Sequence, residues 1–81
     1  MEIEIKNGEK TEPIQIVNYE KLILNSVSNL GLCIQLSDSA GNTQTINVIK
    51  SVHWFKDYPS KNWLTFINNT RYYIRIDYTL I

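Results

Sequence analysis

Apolar and polar residues alternate along several short stretches of the chain, a pattern typical of half-buried β-strands. The clearest stretch spans residues 72–80, where every second position is tyrosine, isoleucine or leucine. Stretches 2–6, 32–37 and 63–67 repeat the pattern. One parity of each stretch should face a core, because successive strand side chains point to opposite faces of a sheet. The residues that we expect to be buried on this ground are Leu32, Ile34, Leu36, Leu64, Phe66, Ile74 and Ile76.

Turn-forming residues separate these stretches. Asn7-Gly8 is typical of a two-residue hairpin turn and predicts that residues 2–6 pair with residues 11–17. The glycine-containing turn 39–42 predicts a second hairpin, between residues 32–37 and the stretch that follows. The connections therefore favour an antiparallel meander.

The C-terminal third contains two further turn signals. Pro59 lacks a backbone N–H and biases Tyr58 away from helix, so residues 58–62 are expected to form a loop. Asn68-Asn69 tolerates the left-handed backbone region and predicts a tight hairpin between Phe66 and Tyr72.

Two segments do not fit a simple meander. Residues 18–31 have apolar residues at helical spacing between Asn18 and Gly31, which suit the two ends of a helix, yet the same segment also fits a strand. Both interpretations stay open. Residues 44–55 change parity near Lys50-Ser51, which indicates a bulge, a bend or a crossing from one sheet to another.

These patterns predict one domain, residues 1–81, of the all-β class. We expect a small antiparallel barrel or sandwich of five to six strands. The alternative is an α+β domain with one short helix near residues 19–29. An 81-residue domain buries only roughly 60% of the surface of its unfolded chain, so self-association would add useful stability.

Composition argues against several kinds of chemistry. Cys33 and His53 are the only cysteine and histidine, so neither an internal disulfide nor a structural zinc site is expected. There is no glycine-rich phosphate loop, and no carboxylate cluster suggests a metal. We therefore expect no cofactor, no metal and no enzymatic activity.

Charge is balanced overall but uneven along the chain. The formal net charge is zero, which argues against a general nucleic-acid binder. Residues 1–20 carry five carboxylates and two lysines, whereas residues 50–81 carry five cations and two aspartates. The opposed ends of the chain are expected to attract one another, within the monomer or between subunits.

Aromatic and basic residues concentrate in the same segment, residues 54–78, which contains eight of the nine aromatic residues. Aromatic faces beside cations can hold a nucleobase or form a protein hot spot, although the same residues also build ordinary cores. Pairing across the predicted C-terminal hairpin would bring Trp63 near Tyr73 or Arg75. The candidate binding residues are Lys56, Tyr58, Lys61, Trp63, Arg71, Tyr73 and Arg75.

The leading hypothesis is a non-enzymatic protein that binds another protein as an inhibitor or adaptor, encoded by a phage or other mobile element. Its alternative is an oligomeric binder that sequesters a nucleotide-like small molecule, and the third is single-stranded nucleic-acid binding. The N-terminal sequence lacks the features of an export signal, and no apolar run approaches the ~20 residues of a membrane span, so we expect a cytoplasmic protein. The apolar C-terminal strand predicts a homo-oligomer with Leu80 and Ile81 near the contact.

Overall fold

Eight β-strands form two four-stranded antiparallel sheets in the computed structural model, which describes residues 1–81. One sheet has the strand order β1-β8-β3-β6, and the other has the order β2-β7-β4-β5. The strands are β1 (Glu2–Ile5), β2 (Ile14–Gln15), β3 (Lys21–Val27), β4 (Leu32–Ser37), β5 (Thr43–Asn47), β6 (Val52–Trp54), β7 (Trp63–Asn68) and β8 (Ile74–Leu80). The all-β expectation is confirmed. The strands number eight rather than five or six because the chain breaks wherever it crosses between sheets.

The core lies between the two sheets and contains twelve buried apolar residues. All seven residues that the alternation predicted to be buried are among them, each with at most 2% of its surface exposed. The Phe66 and Tyr78 rings, one from each sheet, meet at a centroid distance of 5.1 Å. Fully burying an aliphatic or aromatic side chain contributes about 1.5–3 kcal/mol, so this layer is the main source of stability.

Most connections cross from one sheet to the other. Strands β4 and β5 form the only sequential hairpin, with Asp38 Oδ1 accepting hydrogen bonds from the backbone N–H groups of Ala40 and Asn42, both at 2.9 Å. The Asn7-Gly8 turn is present, and Gly8 has a φ of 72°. It does not close the predicted hairpin, however, because β1 pairs with β8 and β2 pairs with β7.

The predicted hairpin between residues 63–67 and 72–80 is also wrong. Strand β7 lies in one sheet and β8 in the other, so Trp63 faces Ser37 of β4 and Arg75 faces Glu4 of β1. The segment 69–73 spans the gap between the sheets. Consequently β8 begins at Ile74, and the preceding Tyr72 and Tyr73 are exposed instead of forming part of the strand.

The two ambiguous segments resolve as strands. Residues 21–27 form β3, with a register shift between Leu24 and Ser26, so the helical alternative is not formed. The parity change near Lys50-Ser51 marks a crossing between sheets, from β5 to β6. A short 3-10 helix at Phe55–Asp57 then leads into the loop before β7.

The C-terminal strand occupies an interior position in its sheet. Strand β8 pairs with β1 on one side and with β3 on the other. Backbone hydrogen bonds between Ile81 and Lys21, in both directions at 3.0 and 3.1 Å, hold the last residue against β3. Leu80 is half-buried and Ile81 is exposed. The fold thus holds this strand without a second subunit, and the expected oligomer contact at Leu80 and Ile81 stays a prediction.

Candidate binding surface

Four loops gather at one end of the sandwich. The strand register places them there, because Leu32 at the start of β4 pairs with Asn68 at the end of β7, and Cys33 pairs with Asn47 at the end of β5. The loops are 6–10, 28–31, 48–51 and 69–73. We call this region the loop end.

Specific contacts tie these loops together. The Asn29 side-chain amide donates to the Tyr73 carbonyl at 2.9 Å, which joins loop 28–31 to loop 69–73. The same two loops touch at Gly31, where a Cβ atom would collide with the methyl group of Thr70. Gly31 has a φ of 97°, which favours glycine independently of that contact. Loops 28–31 and 69–73 therefore pack against each other.

Asn68 anchors the loop end from below. Its side chain is fully buried, and the amide nitrogen donates to the carbonyls of Ile5 at 2.9 Å and Tyr72 at 2.6 Å. Its amide oxygen accepts from the Thr70 N–H at 2.9 Å and from the Thr70 hydroxyl at 2.6 Å. One polar side chain thus bonds three backbone groups, one at the end of β1 and two in loop 69–73, and its own polar atoms are satisfied, as those of a buried polar group usually are.

Large apolar side chains stand exposed on this end. Leu30 is 93% exposed, Ile49 is 90%, Tyr72 is 67% and Tyr73 is 61%. Elsewhere on the molecule, the most exposed large hydrophobic residues are Met1 at 75% and Val17 at 57%. Single exposed apolar residues are ordinary, but several on adjoining loops indicate an interaction site. We define the loop surface as Leu30, Ile49, Arg71, Tyr72 and Tyr73.

Two open clefts flank loop 28–31. The first, of about 460 Å³, lies between loops 28–31 and 48–51 and is lined in part by Leu24, Val48 and Ile49. The second, of about 470 Å³, is lined by Glu4, Lys6, Ser28, Tyr73 and Arg75. The lining of the first cleft mixes apolar and polar residues, and three of the five residues that line the second are charged.

In the second cleft, Arg75 is already engaged. Its Nη2 lies 2.7 Å from Glu4 Oε1 and its Nε lies 3.1 Å from the same oxygen. This hydrogen bond and charge pairing raise the pKa of Arg75 above its ordinary value. Both side chains are more than half exposed, so water screens the pair and an anionic ligand can reach the guanidinium.

The loop end is positively charged. It carries five cations and two carboxylates, a net of +3, while the rest of the molecule carries three lysines and six carboxylates, a net of −3. Lys6, Lys50 and Arg71 form no salt bridge. The cations of the loop end are Lys6, Lys10, Lys50, Arg71 and Arg75, and its carboxylates are Glu4 and Glu9. The zero net charge therefore conceals a dipolar molecule, with positive charge beside the exposed apolar residues.

The structure divides the residues that the sequence nominated as one site. Arg71, Tyr73 and Arg75 lie at the loop end, whereas Trp63 lies at the other end of β7, a strand whose six residues span roughly 17 Å. Lys56, Tyr58 and Lys61 lie in the segment that precedes Trp63, so they do not converge with the arginines. The expected juxtaposition fails because it depended on the hairpin that is not formed.

Residues of that distant group mostly make contacts within the chain. Tyr58 packs against the core, and Lys61 Nζ lies 4.0 Å from Asp38 Oδ2 with its side chain mostly buried. Lys56 Nζ lies 5.4 Å from the centre of a Trp54 ring. Trp63 is 37% exposed. The Lys61–Asp38 contact joins the loop before β7 to the β4–β5 turn.

Three residues of the loop surface were missed by the sequence reasoning. Leu30 and Ile49 lie in connections, where the alternation of a strand does not apply. Tyr72 was assigned to the apolar parity of the stretch 72–80, but β8 begins only at Ile74 and Tyr72 is exposed. A usable signal was present at Leu30, an apolar residue between Asn29 and Gly31. Ile49 also departs from the parity of its neighbours, which is a second signal of the same kind.

The only histidine and the only cysteine of the chain are buried. His53 is 1% exposed, and its Nε2 lies 3.1 Å from the Lys50 carbonyl. Burial lowers the pKa of His53 below its usual value, so the ring is neutral near neutral pH. Cys33 is buried as well, with its Sγ 3.1 Å from Asn47 Oδ1. No group of three or more histidine, cysteine or acidic side chains is arranged to hold a metal ion.

The chain is thus a small antiparallel β-sandwich with exposed loops at one end. No protein-family model matches the chain, and comparisons with curated proteins and with solved structures find no similar protein. None of its helical segments has the length and apolar character required to span a membrane.

Proposed function

We propose that this chain is a non-enzymatic binding protein that uses the loop surface to bind a protein partner, as an inhibitor or adaptor does. One observation carries the proposal: Leu30, Ile49, Tyr72 and Tyr73 are more than 60% exposed on adjoining loops at one end of the molecule. Contact of this apolar surface with water is unfavourable, and a bound partner would remove it.

The composition of the loop surface supports a protein rather than a lipid or a small metabolite. Tyrosine and arginine are enriched among the residues that dominate protein–protein binding energy. Loops 28–31 and 69–73 are fixed by the Asn29 and Gly31 contacts, so binding would order few additional groups. The net charge of +3 around the apolar residues selects a partner whose rim is acidic.

The test is affinity capture from lysate of the source cell, performed with the parent chain and with a Leu30→Ser/Tyr72→Ala double variant. The proposal expects the parent to retain a stoichiometric protein and the double variant to lose it. Val17→Ser is the matched control, because Val17 is also exposed, at 57%, but lies far from the loop end.

Folding of each variant is checked by its unfolding temperature, since exposed residues outside the core should change stability little. A protein captured equally by the parent and the double variant would place the binding site elsewhere. A protein captured by the parent and by the double variant, but not by Val17→Ser, would place the binding site at the opposite end of the molecule.

A second function is favoured by the charged cleft beside Tyr73. Its lining combines one aromatic ring with Lys6 and Arg75, which suits a nucleotide-like molecule that stacks on the ring and pairs its phosphate with the cations. Glu4 occupies the guanidinium and repels a phosphate, which makes this the weaker of the two proposals. Native mass spectrometry of the purified protein would show a retained nucleotide, and Arg75→Ala should abolish its retention.

A further inference from the structure

Strand β5 is an open sheet edge that differs from the other three edges. Edge strands are normally very short or contain charged residues or proline, and these features prevent pairing with another chain. Strand β1 contains Glu2 and Glu4, β2 has two residues directly after Pro13, and β6 has three residues. Strand β5, Thr-Gln-Thr-Ile-Asn, has five residues with no charge, no proline and no bulge.

The region around this edge is also nearly free of charge. Residues 31–49 contain one of the chain's sixteen charged side chains, Asp38. That carboxylate is engaged by the turn, where it accepts hydrogen bonds from Ala40 and Asn42, and it also lies 4.0 Å from Lys61. The hydrogen bonds from Asn42 are the main cause of a lowered pKa for Asp38. No charge is therefore left free on the β4–β5 hairpin to repel an approaching strand.

The backbone pattern shows which groups of β5 are unpaired. The Val48 N–H donates to the Leu32 carbonyl, and the Asn42 carbonyl accepts from the Asp38 N–H, so even-numbered residues direct their backbone groups toward β4. Because these directions alternate along an antiparallel strand, Thr43, Thr45 and Asn47 direct their N–H and C=O groups outward. Three donors and three acceptors thus line the free edge.

We infer that β5 pairs antiparallel with β5 of a second copy of this chain, with Thr45 opposite Thr45 on the two-fold axis. In this register Thr43 faces Asn47 and Gln44 faces Ile46, and the two strands exchange about six backbone hydrogen bonds. A charged strand pairing with itself about Thr45 would place like charges near one another, whereas this neutral strand meets no such repulsion. The result is an eight-stranded sheet across the dimer.

The first test measures mass by light scattering over a range of protein concentrations. The parent should approach twice its 9.5 kDa monomer mass. Thr45→Pro removes an outward N–H without removing a bond to β4, and Thr45→Lys places two like charges opposite one another. Each should weaken dimerisation by about tenfold or more. Gln15→Lys adds the same charge to the other edge of the same sheet and should leave the dimer intact.

The second test is residue-resolved hydrogen exchange at low and high protein concentration. The amides of Thr43, Thr45 and Asn47 should become protected only at high concentration, whereas those of Gln44 and Ile46 should be protected at both. This readout does not depend on whether Thr45→Pro folds. A parent that remains monomeric at all concentrations overturns the inference, as does a dimer that survives Thr45→Lys or forms without concentration-dependent protection of the odd-numbered amides.

Discussion

The Asn68 side-chain amide donates a hydrogen bond to the Ile5 carbonyl 2.9 Å away, and so joins residues 63 positions apart in the sequence. The same nitrogen reaches the Tyr72 carbonyl. A single buried amide therefore joins the end of β1, the end of β7 and the loop that carries the exposed tyrosines. The shape of the loop surface depends on a residue that no partner would touch.

Asn68→Asp should destabilise the fold strongly. Aspartate has no N–H to donate, so two carbonyls would lose their partner and a carboxylate would be buried. We expect a loss of at least ~2 kcal/mol in the free energy of unfolding, measured by urea denaturation. Asn69→Asp is the control, because Asn69 is exposed and should change stability by about 0.5 kcal/mol or less. Equal losses from both variants would contradict the anchoring role.

Gly31→Ala should separate the two central loops. The new methyl group would collide with Thr70, in addition to the strain of a left-handed φ. Gly41→Ala is a matched control, because Gly41 has a similar φ of 88° but nothing within 4 Å of the added atom. We expect Gly31→Ala to be the more destabilising by about 1–3 kcal/mol and to weaken partner binding. Equal unfolding free energies for Gly31→Ala and Gly41→Ala would show that the loops move apart at no cost when the methyl group is added.

Arg75→Ala and Phe66→Ala should separate binding from stability. The Arg75–Glu4 pair is exposed, so removing it should change stability little while reducing binding of an acidic or phosphorylated ligand. Phe66 is fully buried against Tyr78, and its truncation should cost about 3–5 kcal/mol. Thermal unfolding and titration calorimetry measure the two effects. If Arg75→Ala binds the ligand as tightly as the parent does, the charged cleft is not the binding site.

Stability should decline as the pH falls below about 6.5 because of His53. The pKa of the buried ring is lowered below its usual 6.5. As the pH falls below 6.5, His53 therefore becomes protonated in the unfolded chain, whereas in the folded chain it becomes protonated only at a lower pH. The contribution of neutral, buried His53 to the free energy of unfolding is thus complete well above pH 6.5. It is lost as the pH falls toward the folded-state pKa. Urea denaturation across this range measures the slope.

His53→Gln serves as the control for that slope. Glutamine does not titrate, so the variant should have a flatter dependence of stability on pH, whatever its absolute stability. Asp38, whose pKa is lowered from 3.8, loses its contribution at more acidic pH and does not interfere. A variant with the parent's slope would assign the pH dependence to other groups.

The alternation of side chains was sufficient to predict the core but not the connections. Ile34, Phe66 and Ile76 are buried as expected, because parity within a strand is a local property of the backbone. The Asn7-Gly8 turn also forms, whereas Asn68 ends β7 and the chain bends only at residues 70–72. A turn specifies only that the chain changes direction, however, whereas the sheet that it enters next depends on packing between distant strands. Two of the three predicted hairpins failed for this reason, whereas the predicted hairpin between β4 and β5 forms.

The candidate site was predictable in part. Arg71, Tyr73 and Arg75 were selected by composition, and they lie at the loop end. Trp63 was grouped with them only through the hairpin that is not formed. Leu30 and Ile49 were missed because a rule based on strand parity ignores apolar residues in turns, where exposure follows from the lack of any covering element.

The interior position of β8 has a consequence for the order of folding. Its partner β1 lies more than 65 residues away in sequence, and apart from the β4–β5 hairpin every strand pairing joins elements that are not consecutive. Closing such long loops costs entropy before any contact compensates for it, which makes folding slow. Without β8, moreover, β1 would have no neighbour and β3 would pair only with β6. The two sheets should therefore form in one concerted step, with few stable intermediates that expose the core.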